Sequence, residues 1–211
     1  MRHALAKHYR APPRGTGLSR LIFLGQTKDS LWNVDLLRCE SLVLNSYWVL
    51  VSMDQYTRRI VGLDIHCGNV DGPTVCRMFN DAFDSQGAPR YLSTEHDPLF
   101  KFHHWKANVR ILEIDEIKTL PHVPVFHPFV ERLIGTTWRE FLDHVLFWNS
   151  RHLKRKLTDF QRYYNAERVY ASFGRETPLS VGAGKTIKHR ELDDIHWRSH
   201  CRGLVQLPMA A

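Results

Sequence analysis

The stretch LWNVDLL at residues 31–37, followed by SYWVLVSM at 46–53 and RRIVGLDIH at 58–66, decides the fold predicted for this chain. In the first segment apolar side chains recur at every second position, which is the period of a β-strand. This period places Asp35 in mid-strand, on the face opposite Trp32. The polar segment DQYT between the second and third runs has the length and composition of a turn. We therefore predict three sequential strands in an antiparallel meander.

The next part of the chain alternates between helical and strand-like patterns. Apolar residues at helical spacing predict a first helix over residues 72–83, which a segment containing glycine and proline then ends. A short strand is predicted at 91–94. After it the segment FKFHHWKAN at 100–108 reads as a helix, and VRILEI at 109–114 reads as another strand.

The clearest helical pattern begins at Val130, where apolar residues recur at periods of three and four as far as Leu146. Glu131 lies on its first turn. A further helix is predicted at 152–164, with a basic outer face. The complete order of elements predicts an α/β protein with the ribonuclease H-like fold, in which helices flank a five-stranded mixed sheet.

Length and charge limit the organisation and the partners. The chain has 211 residues, enough for one domain with tails, and we divide it into a basic extended lead-in at 1–28, a core at 29–178 and a tail at 179–211. The formal net charge is +7 and the sequence pI is about 9.4. This balance favours a polyanionic partner such as nucleic acid.

Several classes of protein are excluded by what the sequence lacks. No window approaches the roughly 18 to 20 apolar residues of a membrane span, and the start is too charged for a signal peptide, so we expect a cytoplasmic protein. The four cysteines form no CxxC pair and are expected to be thiols, and no zinc site is predicted. The segment GAGKT is not a phosphate loop, because Leu179 stands where the first glycine of that motif is required.

Three acidic positions converge on the predicted fold. They are Asp35 on the first strand, an acidic group after the fourth strand, and Glu131 on the late helix. Three such carboxylates can hold two divalent cations, one to activate water or a 3′ hydroxyl and one to stabilise the leaving oxygen. The chemistry expected of this arrangement is phosphodiester cleavage and strand transfer.

From about Leu31 to Pro178 the sequence resembles the catalytic core of DDE transposases of bacterial insertion sequences and of retroviral integrases. The resemblance is carried, in family order, by the segments WNVDLL, VLVSMDQYTRRIVG, STEHDPLF, HPFVERLIGTTWREFLD and FQRYYNAERVYASFGRETP. It implies that the catalytic and metal-binding residues are Asp35, Glu95 and Glu131. The last two are separated by 35 residues, as in the D,D-35-E group.

The middle position departs from the family, which usually has aspartate where this chain has Glu95. The longer side chain carries its oxygens one methylene further out, so we predict weak or absent strand transfer. Two alternatives remain. Asp97 could replace Glu95, although Pro98 and the family register argue against it, or Glu95 could bind metal after a small backbone shift.

The resemblance also implies residues that contact DNA. A basic residue near Lys118 lies beside DNA in the family, although a solvated lysine fits this position equally well. Arg132 and Arg139 follow Glu131 on the same predicted helix and could contact phosphates or form surface ion pairs.

Other polar residues are expected to be structural. We predict this for Asp54, which precedes a turn, and for Asp64, which lies within the third strand. Tyr163, Tyr164 and Asn165 resemble a late Tyr-Asn motif of the family; packing against the core is favoured over stacking on bases.

The function implied is DNA integration by metal-dependent cleavage and strand transfer, with two Mg²⁺ or Mn²⁺ ions. The substrates would be mobile-element ends and target DNA, handled by a homo-oligomer associated with the bacterial nucleoid. Only about 30 residues precede the first strand, so an end-recognition domain would be separately encoded. The alternative is a non-catalytic DNA-binding remnant. A ribonuclease H is disfavoured by the Val-Glu-Arg helix and the late Tyr-Asn segment.

Overall fold

The computed structural model describes most of the predicted core and part of the tail. The described residues are 31–83, 87–94, 97–117, 128–170, 174, 176–183 and 195–210. The predicted lead-in at 1–28 lies outside them, as do Glu95 and Lys118.

A five-stranded mixed sheet forms the centre of the structure, in the order β3-β2-β1-β4-β5. The strands are β1 Leu31–Glu40, β2 Ser46–Asp54, β3 Ile60–Cys67, β4 Tyr91–Thr94 and β5 Asp115–Glu116. β1, β2 and β3 form the predicted antiparallel meander, whereas β4 runs parallel to both β1 and β5. The predicted five-stranded sheet is confirmed.

Helices cover both faces of this sheet. They are α1 Gly72–Phe83, α2 His103–Ile111, α3 Pro128–Glu140, α4 Ser150–Ala166 and the short α5 Pro178–Ala183. On one face Phe79 and Trp105 from α1 and α2 pack against Val34 of β1. On the other face Leu133 of α3 and Phe160 of α4 pack in a second cluster. β1 is therefore buried on both sides, and its two faces meet different helices.

Two sequence predictions were wrong in their boundaries. The segment 109–114 is not a strand: α2 continues to Ile111 because Val109, four residues after Trp105, is buried on the same helical face. The apolar stripe that begins at Val130 is not one helix to Leu146, since α3 ends at Glu140.

After α3 the chain turns through the 3₁₀ helix Leu142–His144 and leaves Leu146 66% exposed. This turn lets the backbone N–H of Leu42, in the β1–β2 loop, donate to the carbonyl of Phe147 at 3.0 Å. The hydrogen bond between the β1–β2 loop and Phe147 therefore forms in place of the last turns of the predicted helix.

The tail, which has no predicted fold, contains a hairpin of β6 Ile195–His200 and β7 Val205–Ala210. Val205 and Leu207 pack against the cluster beneath α3 and α4. None of the helices in the described ranges is long and apolar enough to cross a membrane.

Candidate active site

Asp35 is positioned by the central strand of the sheet. It is the fifth residue of β1, opposite Val51 of β2, and only 9% of it is exposed. Side chains alternate along a strand, so Asp35 lies on the same face as Leu37, which belongs to the cluster beneath α3 and α4. Its Oδ1 accepts a hydrogen bond from the backbone N–H of Leu36 at 2.7 Å. The carboxylate is thus held near the surface of a rigid element.

The fourth strand ends beside Asp35. β4 is parallel to β1, and its last residue, Thr94, pairs with Val34. Glu95 follows directly in the sequence but lies outside the described residues, so its role stays a prediction. Asp97, the alternative ligand, caps the 3₁₀ helix Pro98–Lys101, where its Oδ1 accepts from the backbone N–H of Leu99 at 2.8 Å. This contact gives Asp97 a local structural role.

Glu131 lies on the first turn of α3, as predicted, and is exposed. Its neighbours Val130 and Leu133 are buried in the cluster that also contains Leu37 of β1. α3 therefore packs on the face of the sheet to which Asp35 belongs. The two outer carboxylates of the predicted trio are on one side of the sheet.

Contacts at both ends of α3 fix its direction along β1. At its start the guanidinium of Arg58, in the β2–β3 turn, lies over the ring of Phe129. Beyond its end Phe147 is bound to the β1–β2 loop. This direction brings the first turn of α3, which carries Glu131, toward the half of β1 that contains Asp35. The sequence analysis did not predict this role of Arg58, because nothing in the local pattern of a turn indicates a contact with Phe129, 71 positions later.

Among the predicted DNA contacts, Arg132 and Arg139 are both exposed on α3. Arg139 folds back along its own helix, since a Cβ added at Gly135 would lie 3.1 Å from its Nη1. Arg132 borders a small cavity of about 20 Å³ together with Phe129 and Tyr164. Within the described part of the chain neither arginine forms an ion pair, so both are available to an anionic ligand.

The remaining acidic candidates have structural contacts, as the sequence analysis favoured. Asp54, which is 2% exposed, accepts from the backbone N–H of Thr57 at 2.7 Å and from its Oγ1 at 2.6 Å. The Asp64 carboxylate lies 3.3 Å from Nζ of Lys154 on α4.

The late Tyr-Asn segment packs against the sheet. Tyr163 is 9% exposed and Tyr164 is 1% exposed, and both belong to the cluster beneath α3 and α4. Burial raises the pKa of Tyr164 well above its ordinary value. These rings are therefore inaccessible to bases, which agrees with the favoured structural interpretation.

The predicted metal site combines Asp35 and Glu131 with Glu95, which lies outside the described residues. Across the ranges that the structure describes, no three His, Cys, Asp or Glu side chains are grouped closely enough to hold a metal ion. Asp35 and Glu131 supply carboxylate oxygens, the donors that Mg²⁺ and Mn²⁺ prefer. The donor chemistry fits a magnesium or manganese site, and the predicted third ligand is Glu95.

The sheet order and the two helical layers define a ribonuclease H-like fold. Residues 112–178, which include Glu131, match the family model described as an integrase core domain. No protein of curated function matches the sequence.

Solved integrase structures share this fold. The HTLV-2 integrase catalytic core domain, solved in complex with magnesium in a dimeric form, has a TM-score of 0.57 and 15% identity; the alignment covers 75% of this chain and 99% of that one. A chain of the simian T-cell lymphotropic virus intasome, solved with PP2A regulatory subunit B56 gamma, has a TM-score of 0.57 and 16% identity, covering 86% of this chain and 68% of that one. For the BIV integrase catalytic core domain the TM-score is 0.53 at 15% identity, and the alignment covers 74% of this chain and 95% of that one.

Proposed function

We propose that this chain is the catalytic core of an integrase or transposase of the bacterial insertion-sequence type, which cuts and joins DNA. The observation that supports it most directly is the placement of Asp35 and Glu131 on one side of a ribonuclease H-like sheet. The match of residues 112–178 to the integrase core domain supports the same assignment.

In this proposal Asp35, Glu95 and Glu131 hold two Mg²⁺ or Mn²⁺ ions. The HTLV-2 integrase core was solved with magnesium, which supports the choice of metal. When bound, the ions would activate the attacking water or 3′ hydroxyl and stabilise charge at the leaving oxygen. Asp35 supplies a ligand fixed by a buried strand, whereas Glu131 is exposed and can be approached by DNA.

The proposed substrates are the ends of a mobile element and a target DNA. Arg132 and Arg139, on the helix that carries Glu131, would contact phosphates, as would Lys118. The HTLV-2 integrase core was solved in a dimeric form, so we propose that this chain acts as a homo-oligomer. The proposed place of action is the bacterial nucleoid.

A second candidate function is a DNA-binding remnant without catalysis. It is favoured by one specific feature, the glutamate at position 95, whose extra methylene displaces its oxygens relative to aspartate. Both candidates bind DNA, so only the chemical step distinguishes them.

The test is cleavage and joining of labelled duplexes made from the DNA that flanks the gene on each side, with Mg²⁺ or Mn²⁺ present. We expect weak activity that Glu95→Asp increases about tenfold or more, because the shorter carboxylate restores the metal geometry. Asp35→Asn and Glu131→Gln should each abolish it. Asp143→Asn, which removes an exposed carboxylate beyond α3, is the matched control and should leave activity unchanged.

Two results would contradict the catalytic proposal. One is product formation that persists in Asp35→Asn. The other is a complete lack of product from both the natural chain and Glu95→Asp, which would support the DNA-binding remnant instead.

A further inference from the structure

A basic groove runs along the exposed side of α4, where this helix meets the edge strand β3. Its volume is about 560 Å³, and its walls include Arg151, Arg155 and Arg162 from α4. All three arginines are exposed. The sequence analysis predicted a basic face on this helix, but not that β3 completes a groove along it.

Acidic residues also line the groove, but they are already paired. Asp64 lies 3.3 Å from Nζ of Lys154, and Asp159 lies 3.7 Å from Nε of Arg202. In the part of the chain that the structure describes, Arg151, Arg155 and Arg162 form no ion pair. The groove therefore has an excess of positive charge.

The three arginines form a stripe along one face of α4. Arg151 and Arg155 are four residues apart, and Arg162 follows seven residues later, so the stripe extends for about 16 Å at about 1.5 Å per residue. Phosphates of one DNA strand advance about 3.4 Å per nucleotide along the helix axis. The stripe is thus long enough to follow several consecutive phosphates.

The local electrostatics agree with this excess of charge. Partial burial lowers the pKa of His152, and the neighbouring cations Lys156, Arg155 and Arg202 lower it further. A positive potential opposes protonation of a histidine and attracts an anion. The groove also lies away from the candidate active site, because β3 is two strands from β1, about 10 Å at the usual strand spacing.

We propose that this groove binds the phosphate backbone of duplex DNA and forms a second DNA contact, separate from Asp35, Glu131 and the arginines of α3. Guanidinium groups pair with phosphates without reading bases, so the binding should be independent of sequence. It should also require neither the active-site carboxylates nor a metal ion.

The test is fluorescence anisotropy of the full chain with a labelled 30-base-pair duplex of arbitrary sequence, roughly three helical turns, in EDTA and over a series of NaCl concentrations. The triple variant Arg151→Gln, Arg155→Gln, Arg162→Gln should bind about tenfold or more weakly near physiological salt. The slope of log K against log [NaCl] should become shallower by about 2 to 3, since three phosphate contacts are lost.

A matched control separates this groove from the effect of net charge. Lys101→Gln, Lys106→Gln, Arg110→Gln removes three exposed charges on the opposite face of the sheet, and should change the slope by less than about 1. Circular dichroism melting of both variants should match the natural chain.

The proposal is overturned if both triple variants change the slope equally, or if the α4 variant leaves it unchanged. It is also overturned if the α4 variant alters only the oligomeric state in sedimentation, which would make the groove an interface between copies. Asp35→Asn should bind DNA as tightly as the natural chain in EDTA. The groove can therefore be shown to bind DNA even if the catalytic proposal fails.

Discussion

Asn165 of α4 satisfies both backbone polar groups of Ile60 in β3. Its Oδ1 accepts from the Ile60 N–H at 2.8 Å, and its Nδ2 donates to the Ile60 carbonyl at 2.9 Å. The register between β2 and β3 shifts at this place, where Ser52 pairs with Gly62 but Met53 pairs with Ile60. The side-chain amide thus binds backbone groups at an irregular point of the ladder. It anchors α4 to the edge of the sheet.

Replacing this amide should destabilise the fold. We expect Asn165→Ala to lower the free energy of unfolding by about 1 to 3 kcal/mol, because the buried N–H of Ile60 loses its partner. The Ile60 carbonyl keeps the hydrogen bond that Nε2 of Gln161 donates to it at 3.0 Å. Urea denaturation measures the change. Asn69→Ala, at an exposed position, should remain within about 0.5 kcal/mol of the natural chain. Equal losses in the two variants would show that the Ile60 contacts contribute nothing particular.

Gly62 permits the close approach of α1 to β3. A Cβ at this position would lie 1.8 Å from the carbonyl oxygen of Ala82, which is backbone and cannot rotate away. We expect Gly62→Ala to cost about 3 kcal/mol or more and to lower Tm. Gly72→Ala is the control, since its added Cβ would meet its nearest atom at an ordinary 3.4 Å. A Gly62→Ala variant as stable as Gly72→Ala would contradict this packing.

The cysteines should differ in reactivity. Cys67 is exposed, whereas Cys39 is 3% exposed, and burial together with nearby Glu40 raises its pKa to about 11. Alkylation by iodoacetamide near pH 8 should modify Cys67 first, since the thiolate is the nucleophile. Mass spectrometry of digested protein gives the order, and both sites should react in denaturant. Rapid modification of Cys39 in folded protein would contradict its burial.

The same pKa predicts a loss of stability in alkali. The pKa of Cys39 in the folded protein, about 11, exceeds its ordinary value of 9.0, so the folded state retains the proton more tightly. This contribution is present below pH 9 and is lost as the pH rises through about 11. The free energy of unfolding of Cys39→Ala, measured by urea denaturation, should depend less steeply on pH over that interval than that of the natural chain. Parallel pH profiles for the two proteins would argue against the shift.

Metal binding can be measured without catalysis. If Asp35 and Glu131 ligate Mn²⁺, a concentration of about ten times Kd should stabilise the protein by about 1.4 kcal/mol and raise Tm. EDTA should reverse the shift, and Asp35→Asn or Glu131→Gln should remove it. Asp143→Asn should keep it. A shift that survives both ligand variants would place the metal elsewhere.

The sequence by itself determined the meander, the position of Asp35 in mid-strand and that of Glu131 on the first turn of a helix. These features follow from the local periodicity of apolar residues, because a period of two residues indicates a strand and a period of 3.6 residues indicates a helix. The interval of 35 residues between Glu95 and Glu131 likewise needed only counting.

Only the tertiary structure decided which helix covers which face of β1, and therefore that Glu131 and Asp35 share a side of the sheet. It also ended α3 at Glu140, because pairing of Phe147 with the β1–β2 loop prevails over a continuing apolar stripe. Contacts such as that of Asn165 with Ile60 join residues about a hundred positions apart. The local sequence pattern does not indicate such pairs, because the two residues come into contact only in the folded chain.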